Sequence, residues 1–545
     1  MSGWSSTLAA FGVRGFFPVL LGLAAFLFSG CGKQESATTA PAQVLRLSQR
    51  NEPSDLDPAT ATLPDEFYII GALGEGLLAP NPARGRPLLG VAERYDVSPD
   101  GLVYTFHLRR DARWSNGEPI VAADFVASYR RVLTPATAAP KVDLFFPVKN
   151  ARAFYRGEIA DFSAVGFRAA DAHTFVVTLA QPSAQFPYYV TSGPWIPVNP
   201  RVVERFGRDW TRPANFVGNG PFTLADWRAQ QRIVVKKNPH YRAAADVRLD
   251  QIDFVRFDND DTEERGYRAG QIDVTVTVPR TKIAVHARER PAELHRALTA
   301  ETRFLSFNTH RAPLGDPRVR RALALALDRT KIVERVLLGG QQPATRFVPP
   351  ALRPDGAPAL SAELRDDPAE ARRLLAAAGF SEGRNFPRLE LAAWSPSQIP
   401  VLEALQAFWR QELGIEITVA TREGKVLHAA MVTGDYDIAF VTTLFLLDLD
   451  DPVALLANFT TDGANNFPRW HSDAYDRLLA AAATERDPAR QAVLLSSAES
   501  LFIDEAPIAP LYFNTRNWLM SPRVHGWRED ALWTRNYTAL RVDPR

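Results

Sequence analysis

Hydrophobic and polar residues alternate over several short segments in the first half of the chain. In Leu102-Val-Tyr-Thr-Phe-His-Leu108 every second residue is apolar, which is the period of a half-buried β-strand. Further strands, rich in β-branched and aromatic residues, are predicted at 43–48, 174–179, 232–236 and 251–257. The first half of the chain is therefore predicted to contain most of the strands.

The second half follows the spacing of helices. Asp316-Pro317 opens a predicted helix, because Asp is a good N-cap and Pro fits the first turn. The capping-box pattern Asp367-Pro-Ala-Glu370 precedes another helix, and a third, at 402–413, ends at Gly414 before a predicted strand at 415–419. Since strands and helices alternate here, the sequence predicts an α/β fold that contains parallel strands.

The N-terminal residues have the pattern of an export signal. One positive residue, Arg14, is followed by a short apolar run at 19–28 and by small residues before Cys31. The run is about half the roughly 20 residues that a membrane-spanning helix needs. Phe28-Ser-Gly-Cys31 resembles a bacterial lipobox, which implies a signal peptide at 1–30 and lipidation of Cys31. A stray cysteine in an ordinary cleaved signal is the alternative.

Residues 31–42 are predicted to form a flexible tether, since they are rich in Ala, Thr and Ser. The 545 residues suggest two to four structural units, and 46% hydrophobic with 23% charged residues is an ordinary globular composition. The formal net charge of +1 gives no electrostatic signature of a nucleic-acid partner. With one cysteine there can be no disulfide within the chain, so stability depends on the size of the core.

No strong catalytic or cofactor signature occurs in the sequence. The nine histidines are scattered and form no His-x-x-x-His pair, and there is no Gly-x-Ser-x-Gly elbow or phosphate-binding loop. These missing signatures argue against an enzyme, and the sequence predicts no cofactor and no metal. A secreted peptidase is the enzymatic alternative.

The motif Asp448-Leu-Asp-Asp-Pro452 follows an apolar, strand-like run at 436–447. Carboxylates just past a buried strand of an open α/β sheet lie where ligands bind, so Asp448 is a candidate partner for a ligand cation. Helix N-capping before Pro452 is the other interpretation, and it suits Asp450 or Asp451.

Five segments, in order, resemble the periplasmic oligopeptide-binding proteins, the solute-binding family that serves peptide, dipeptide and nickel importers. The most extensive match is residues 90–125, GVAERYDVSPDGLVYTFHLRRDARWSNGEPIVAADF. The other segments are 56–58, 210–224, 316–328 and 507–512. Within the family, Trp210-Thr-Arg-Pro-Ala-Asn215 is more similar to the oligopeptide branch than to the nickel branch.

The resemblance implies a type II periplasmic-binding-protein fold: two lobes with a hinge, and an extra domain inserted in lobe I. Lobe I comprises 43–83, 195–298 and 515–545, domain II comprises 84–194, and lobe III comprises 299–514. Two crossing strands near residues 300 and 513 form the implied hinge. Peptide is enclosed when the hinge closes, which is a two-state change that the ligand biases.

The resemblance also implies the ligand site. Asp448 corresponds to the aspartate that holds the peptide's ammonium group. The other implied site residues are Leu63, Leu444 and Leu446, which bind the peptide backbone, and Thr277, Arg303 and Tyr512, which form walls. Where some members have Arg or His for the peptide's carboxylate, this chain has Thr442 and Pro400, and Gly424 replaces a common tryptophan. Ligands are therefore expected to need a free N-terminus more than a defined C-terminus.

The implied partners are short peptides, an inner-membrane ABC permease and the membrane that holds the lipid anchor. The protein is expected to be a monomer on the periplasmic or cell-envelope side. Other members of the same fold bind different ligands, so a murein peptide, a sugar, a nickel chelate or haem remains an alternative. A peptide-sensing co-receptor is a further alternative.

Overall fold

The structure is a computed structural model. It describes residues 42–81, 86–183, 185–354, 356–443, 451–463, 465–485, 487–528 and 535–544. The predicted signal peptide, lipidated Cys31 and nearly all of the tether lie outside the described residues. Residues Ala42–Arg545 form one compact unit.

The strands of the described residues are β1 (Val44–Gln49), β2 (Leu78–Ala79), β3 (Leu88–Leu89), β4 (Ala92–Val97), β5 (Val103–Leu108), β6 (Phe167–Asp171), β7 (Thr174–Thr178), β8 (Phe222–Arg228), β9 (Arg232–Lys237), β10 (Gln251–Arg256), β11 (Leu294–Phe307), β12 (Gln342–Pro343), β13 (Leu389–Ala393), β14 (Ile417–Thr421), β15 (Ile438–Thr442), β16 (Ile508–Leu519), β17 (Val524–His525) and β18 (Arg541–Val542).

The α-helices of the same residues are α1 (Pro64–Leu73), α2 (Ala122–Leu133), α3 (Ala151–Tyr155), α4 (Phe186–Tyr189), α5 (Pro200–Phe206), α6 (Asp260–Arg268), α7 (Ile283–Glu289), α8 (Pro317–Leu325), α9 (Arg329–Lys331), α10 (Pro368–Ala377), α11 (Ile399–Leu413), α12 (Gly424–Thr433), α13 (Pro452–Ala457), α14 (Asp473–Thr484) and α15 (Pro488–Glu505). A π-helix at Ile332–Leu337 follows α9. Within the described ranges, no helix is long and apolar enough to cross a membrane.

The first sheet has the strand order β1-β10-β9-β8. β1 runs parallel to β10, whereas β10, β9 and β8 pair in antiparallel fashion. Its core combines distant parts of the chain, since Leu45 on β1, Ile70 on α1 and Ile252 on β10 pack with Trp518 of β16 and with Tyr537. The core around this sheet, called the first body below, is therefore built from three stretches of the chain that are far apart in sequence.

The second sheet is an antiparallel meander with the order β4-β5-β7-β6, and α2 packs on it. On β5 the apolar face is buried, with Phe106 at its centre, as the alternating pattern predicted. Its core is aromatic: Tyr129 of α2 lies against Phe175 of β7, and Phe145 stacks on Trp195 with 4.4 Å between ring centroids. Such aromatic pairs add to the free energy that burial supplies.

One ion pair joins the part of the chain around the first sheet to helix α2, which packs on the second sheet. Asp57, in the segment 56–58 that carried part of the family resemblance, forms two hydrogen bonds with the guanidinium of Arg131 on α2. The indole Nε1–H of Trp210 also donates to this carboxylate, over 3.3 Å. Three parts of the chain that are far apart in sequence therefore meet at one carboxylate.

The third sheet has six strands in the order β12-β16-β11-β15-β13-β14. β13 runs parallel to β14 and to β15, which confirms the predicted parallel strands. Two ends form as predicted: Asp316 accepts from the backbone of Arg318, and Gly414 ends α11 with a φ of 69°. Of the capping box predicted at 367–370 only the N-cap forms, since Asp367 accepts from the backbone of Glu370 whereas the Glu370 carboxylate pairs with Arg373. Asp451 accepts from the backbone N–H groups at the start of α13, so it acts as an N-cap.

β11 and β16 are the longest strands described, and they connect the first and third sheets. They pair from Leu294↔Leu519 to Ser306↔Ile508, with register shifts between Leu298 and Thr302 and between Arg303 and Phe304. Beyond β16, Met520 bridges to Val274, which in turn bridges to Leu47 of β1. At the other end β11 pairs with β15. The two sheets are therefore linked through one antiparallel pair.

Glu499 on α15 gives a testable pH dependence. Its Oε1 accepts hydrogen bonds from the backbone N–H groups of Phe347 (2.9 Å) and Val348 (2.8 Å). Burial raises the pKa of Glu499 from 4.5 to about 7. A carboxyl group whose pKa is raised by folding stabilises the folded state below pH 4.5, and this contribution is lost as the pH rises through 7.

We expect Glu499→Gln to remove this pH dependence, because the amide oxygen still accepts both bonds but the side chain does not ionise. Relative to the variant, the wild-type free energy of unfolding should fall by up to about 3 kcal/mol between pH 4.5 and pH 7. Urea unfolding of both proteins at several pH values measures the difference. A difference that is independent of pH would contradict the assignment.

Candidate functional site

The candidate site lies at the carboxyl ends of the parallel strands in the six-stranded sheet, where ligands bind in open α/β sheets. β15 ends at Thr442, and Trp394 directly follows β13. Arg303 of β11 is the cross-strand partner of Thr442 on one side and of Tyr512 on the other. Because directly opposed residues of antiparallel strands project to the same face, these three side chains form one row.

Arg303 occupies the centre of this row. Its Nε lies 2.5 Å from Oε1 of Glu301. The guanidinium carbon is 5.1 Å from the centre of the Trp394 ring and 5.9 Å from that of Phe440 on β15. An ion pair on one edge and aromatic rings near the guanidinium fix both its position and its plane.

Glu301 is 1% exposed, so its carboxylate needs partners inside the protein. The Thr442 hydroxyl donates to Oε1 over 2.6 Å, and Nδ2 of Asn514 donates to Oε2 over 2.6 Å. Together with Arg303, these donors engage both oxygens. Since Glu301 and Arg303 are on β11, Asn514 on β16 and Thr442 on β15, the carboxylate ties three adjacent strands together.

Tyr512 of β16 is buried beside this ion pair. Burial raises the pKa of its phenol to about 12, and the positive charge of Arg303 opposes part of that rise. The hydroxyl is therefore protonated at neutral pH and available as a hydrogen-bond donor.

Leu63 and Thr277, both predicted from the resemblance, lie in the first body. Leu63 is 42% exposed and directly precedes α1, where its backbone N–H donates to Oε2 of Glu66 over 2.9 Å. Thr277 is half-buried, next to Val276, whose carbonyl accepts from Arg516 of β16. Among the described residues, no hydrogen bond or ion pair joins either of them to the cluster around Arg303.

Asp448, Leu446 and Leu444 lie outside the described residues, which stop at Thr443 and resume at Asp451. On the near side of this gap, the Thr443 hydroxyl accepts from the backbone N–H of Thr302 over 2.9 Å. Thr443, the last described residue before the gap, is therefore attached to β11 next to Arg303.

Sequence reasoning did not identify Glu301, Trp394 or Asn514. Glu301 carried a usable signal, because an acid two residues before an arginine on a strand projects to the same face. Trp394 and Asn514 carried none, since their roles depend on which strands become neighbours. For metals, the described part of the chain contains no group of three or more His, Cys, Asp or Glu side chains that could hold an ion.

The described sheets and helices form an α/β fold, and the comparisons place it in the class of two-lobed ligand-binding proteins. The family model described as bacterial extracellular solute-binding proteins, family 5 Middle, matches residues 86–467. The chain belongs to this family. It accordingly has the type II periplasmic-binding-protein fold that the resemblance implied.

Several relatives match nearly the whole chain. The periplasmic murein peptide-binding protein MppA of Escherichia coli is 30% identical and covers 89% of this chain and 91% of its own length. The probable deoxycholate-binding periplasmic protein YgiS of Escherichia coli is 32% identical, covering 90% and 91%. The periplasmic oligopeptide-binding protein OppA of Salmonella typhimurium is 32% identical, covering 90% of each.

Solved structures give the same result. The unliganded open form of MppA superposes with a TM-score of 0.80 at 29% identity, covering 92% of this chain and 98% of that one. Haemophilus influenzae OppA in complex with the peptide RPPGFSPFR gives a TM-score of 0.75 at 28% identity, covering 92% and 99%.

Replacing Glu301 tests whether its carboxylate holds the strands of the site together. We expect Glu301→Gln to lower the free energy of unfolding by about 2–4 kcal/mol, because an amide donor then faces Arg303 or Asn514. Denaturant unfolding measures the change. Glu416→Gln is the control, since it breaks an exposed pair with Arg410 and should leave the midpoint unchanged. A Glu301→Gln protein as stable as wild type would contradict this role.

Proposed function

We propose that the protein is an exported lipoprotein that captures short peptides between two lobes and delivers them to an ABC importer. The observation that carries the proposal is the near full-length similarity to peptide binders, one of them solved with a bound peptide. The resemblance of residues 210–215 to the oligopeptide branch points the same way.

The three-part division of the chain belongs to this proposal. Lobe I comprises 43–83, 195–298 and 515–545, with domain II at 84–194 and lobe III at 299–514. Each part has its own sheet, and the core of the six-stranded sheet draws on residues between Ala300 and Tyr512. Since β11 and β16 cross between the parts near residues 300 and 513, they are the proposed hinge.

A protein that accepts many sequences must bind what all peptides share. We assign the ammonium group to Asp448, whose position relative to Pro452 resembles the family's ammonium ligand. The peptide backbone binds Leu63, Leu444 and Leu446 by strand addition, which reads no side chains. Thr277, Arg303 and Tyr512 form walls of the same site.

The N-terminal pattern supports the proposed location. A signal peptide at 1–30 followed by a lipidated Cys31 would anchor the folded body to a membrane through the tether. The relatives named above are periplasmic proteins, and we propose the same side of the membrane for this chain. It acts there as a monomeric binder, without catalysis or a cofactor, and its partner is the inner-membrane permease.

One relative favours a second candidate ligand. YgiS, 32% identical, is named as a probable deoxycholate-binding protein, so a non-peptide amphiphile with a carboxylate is a specific alternative. Such a ligand has no ammonium group, and its binding would not depend on Asp448.

Native mass spectrometry of the body without residues 1–31 identifies a ligand that survives gentle purification. A series of short peptide masses supports the proposal, whereas a single non-peptide mass would keep the fold and overturn the peptide ligand.

Replacing Asp448 tests the ammonium contact. We expect Asp448→Asn to weaken peptides with a free N-terminus by about 100-fold or more, because leaving a buried charge unpaired costs about 3–5 kcal/mol. Calorimetry with free and N-acetylated peptides measures it, and acetylation should weaken wild-type binding comparably. Asp462→Asn, at an exposed position, is the matched control. Equal affinity of the wild-type protein for free and acetylated peptides would contradict the assignment of the ammonium group to Asp448.

A further inference from the structure

Within the described ranges, the guanidinium of Arg303 contacts a carboxylate on its Nε edge only. Its Nε faces Glu301, but among the described residues neither Nη group donates a hydrogen bond. The side chain is 17% exposed, so the open edge is neither sealed in the core nor free in solvent. An arginine held in this way presents a rigid pair of N–H donors to whatever occupies the cleft.

Glu301 contacts the Nε of Arg303 and leaves its two Nη groups available as donors. Thr442 and Asn514 also bind its carboxylate, and these bonds hold Glu301 against the sheet on the Nε side of Arg303. Trp394 and Phe440 restrict the plane of the guanidinium. The two Nη groups are therefore oriented before any ligand arrives, which reduces the entropy lost on binding.

The surroundings favour an anion at the open edge. Tyr512, the cross-strand partner of Arg303, is a protonated phenol whose hydroxyl makes no hydrogen bond among the described residues. Arg280 also acts electrostatically on this phenol, while its guanidinium donates to the carbonyl of Val336 over 3.2 Å. The Tyr512 hydroxyl is therefore a second hydrogen-bond donor next to Arg303, and Glu301 is the carboxylate paired with that arginine.

We propose that Arg303 is the anchor for a carboxylate of the ligand, which its two Nη groups bind side by side, assisted by the hydroxyl of Tyr512. The inference rests on the proposed peptide function and narrows the ligand class to peptides with a carboxylate within reach of Arg303. That carboxylate is either the α-carboxylate or an acidic side chain. A carboxylate matches the planar fork of an arginine, whereas an amide would place donors against donors.

The experiment is calorimetric titration of the soluble body with tri-, tetra- and penta-alanine, each as the free acid and as the C-terminal amide. A second series carries one Glu or one Gln at each position of the amidated peptides. We expect at least one carboxylate to be favoured about 10- to 100-fold over its amide. A preference in the first series identifies the α-carboxylate, and a preference in the second identifies a side chain.

Variants of the protein distinguish an Arg303 that binds the ligand's carboxylate from an Arg303 that only lines the site. Arg303→Gln should reduce the preference to below about 3-fold while amidated peptides still bind, and Arg303→Lys should retain part of it, because a cation without the fork remains. Arg410→Gln removes an exposed arginine elsewhere and should keep the full preference. If Arg303→Gln weakens acids and amides equally, the anchor is refuted.

Two further outcomes of the wild-type titration also test the proposal. Wild type that binds peptides without preferring any carboxylate overturns the anchor and leaves the peptide function standing. Wild type that binds no peptide of either series overturns both. Because the wild-type comparison changes the ligand alone, it tests the anchor even if Arg303→Gln does not fold.

Discussion

The pairing of β11 with β16 is the constraint on which the rest of the structure depends. One end of this pair reaches the first sheet through Val274, and the other end belongs to the six-stranded sheet. Strand pairing has its own register, so neither sheet can shift along the pair without breaking hydrogen bonds. Bending is easier, because the register already shifts between Leu298 and Thr302. The same feature therefore fixes alignment and permits a hinge.

The buried carboxylate of Glu301 lies beside this irregularity. A carboxylate removed from water destabilises a fold unless it is fully paired. Here Thr442 and Asn514 donate hydrogen bonds to it, and Arg303 supplies the opposite charge. These partners come from β11, β15 and β16, so the carboxylate is satisfied when all three strands are in register. The carboxylate of Glu301 can therefore be fully paired only if the three strands are correctly aligned. The same alignment brings the side chains of the candidate site together.

Local patterns predicted the elements, and tertiary neighbours determined what the patterns could not show. The alternation around Phe106, the cap at Asp316 and the stop at Gly414 depend on residues close in sequence, and all three are found as predicted. The resemblance placed Arg303 and Tyr512 in the site but not side by side, because their contact depends on β11 meeting β16. Trp394 was missed for the same reason, since nothing in the neighbouring sequence indicates that the guanidinium of Arg303 lies over its ring.

If Arg303 is the proposed carboxylate anchor, its pairing with Glu301 also determines how selective the site can be. An isolated buried arginine would reject every ligand without an anion, because an unpaired charge in the closed cleft is very unfavourable. Arg303 is already neutralised by Glu301, so a ligand lacking a carboxylate leaves hydrogen-bonding capacity unused but no bare charge. A carboxylate should therefore be preferred rather than required. Such graded selectivity is consistent with the proposed binding of many peptide sequences through their backbone.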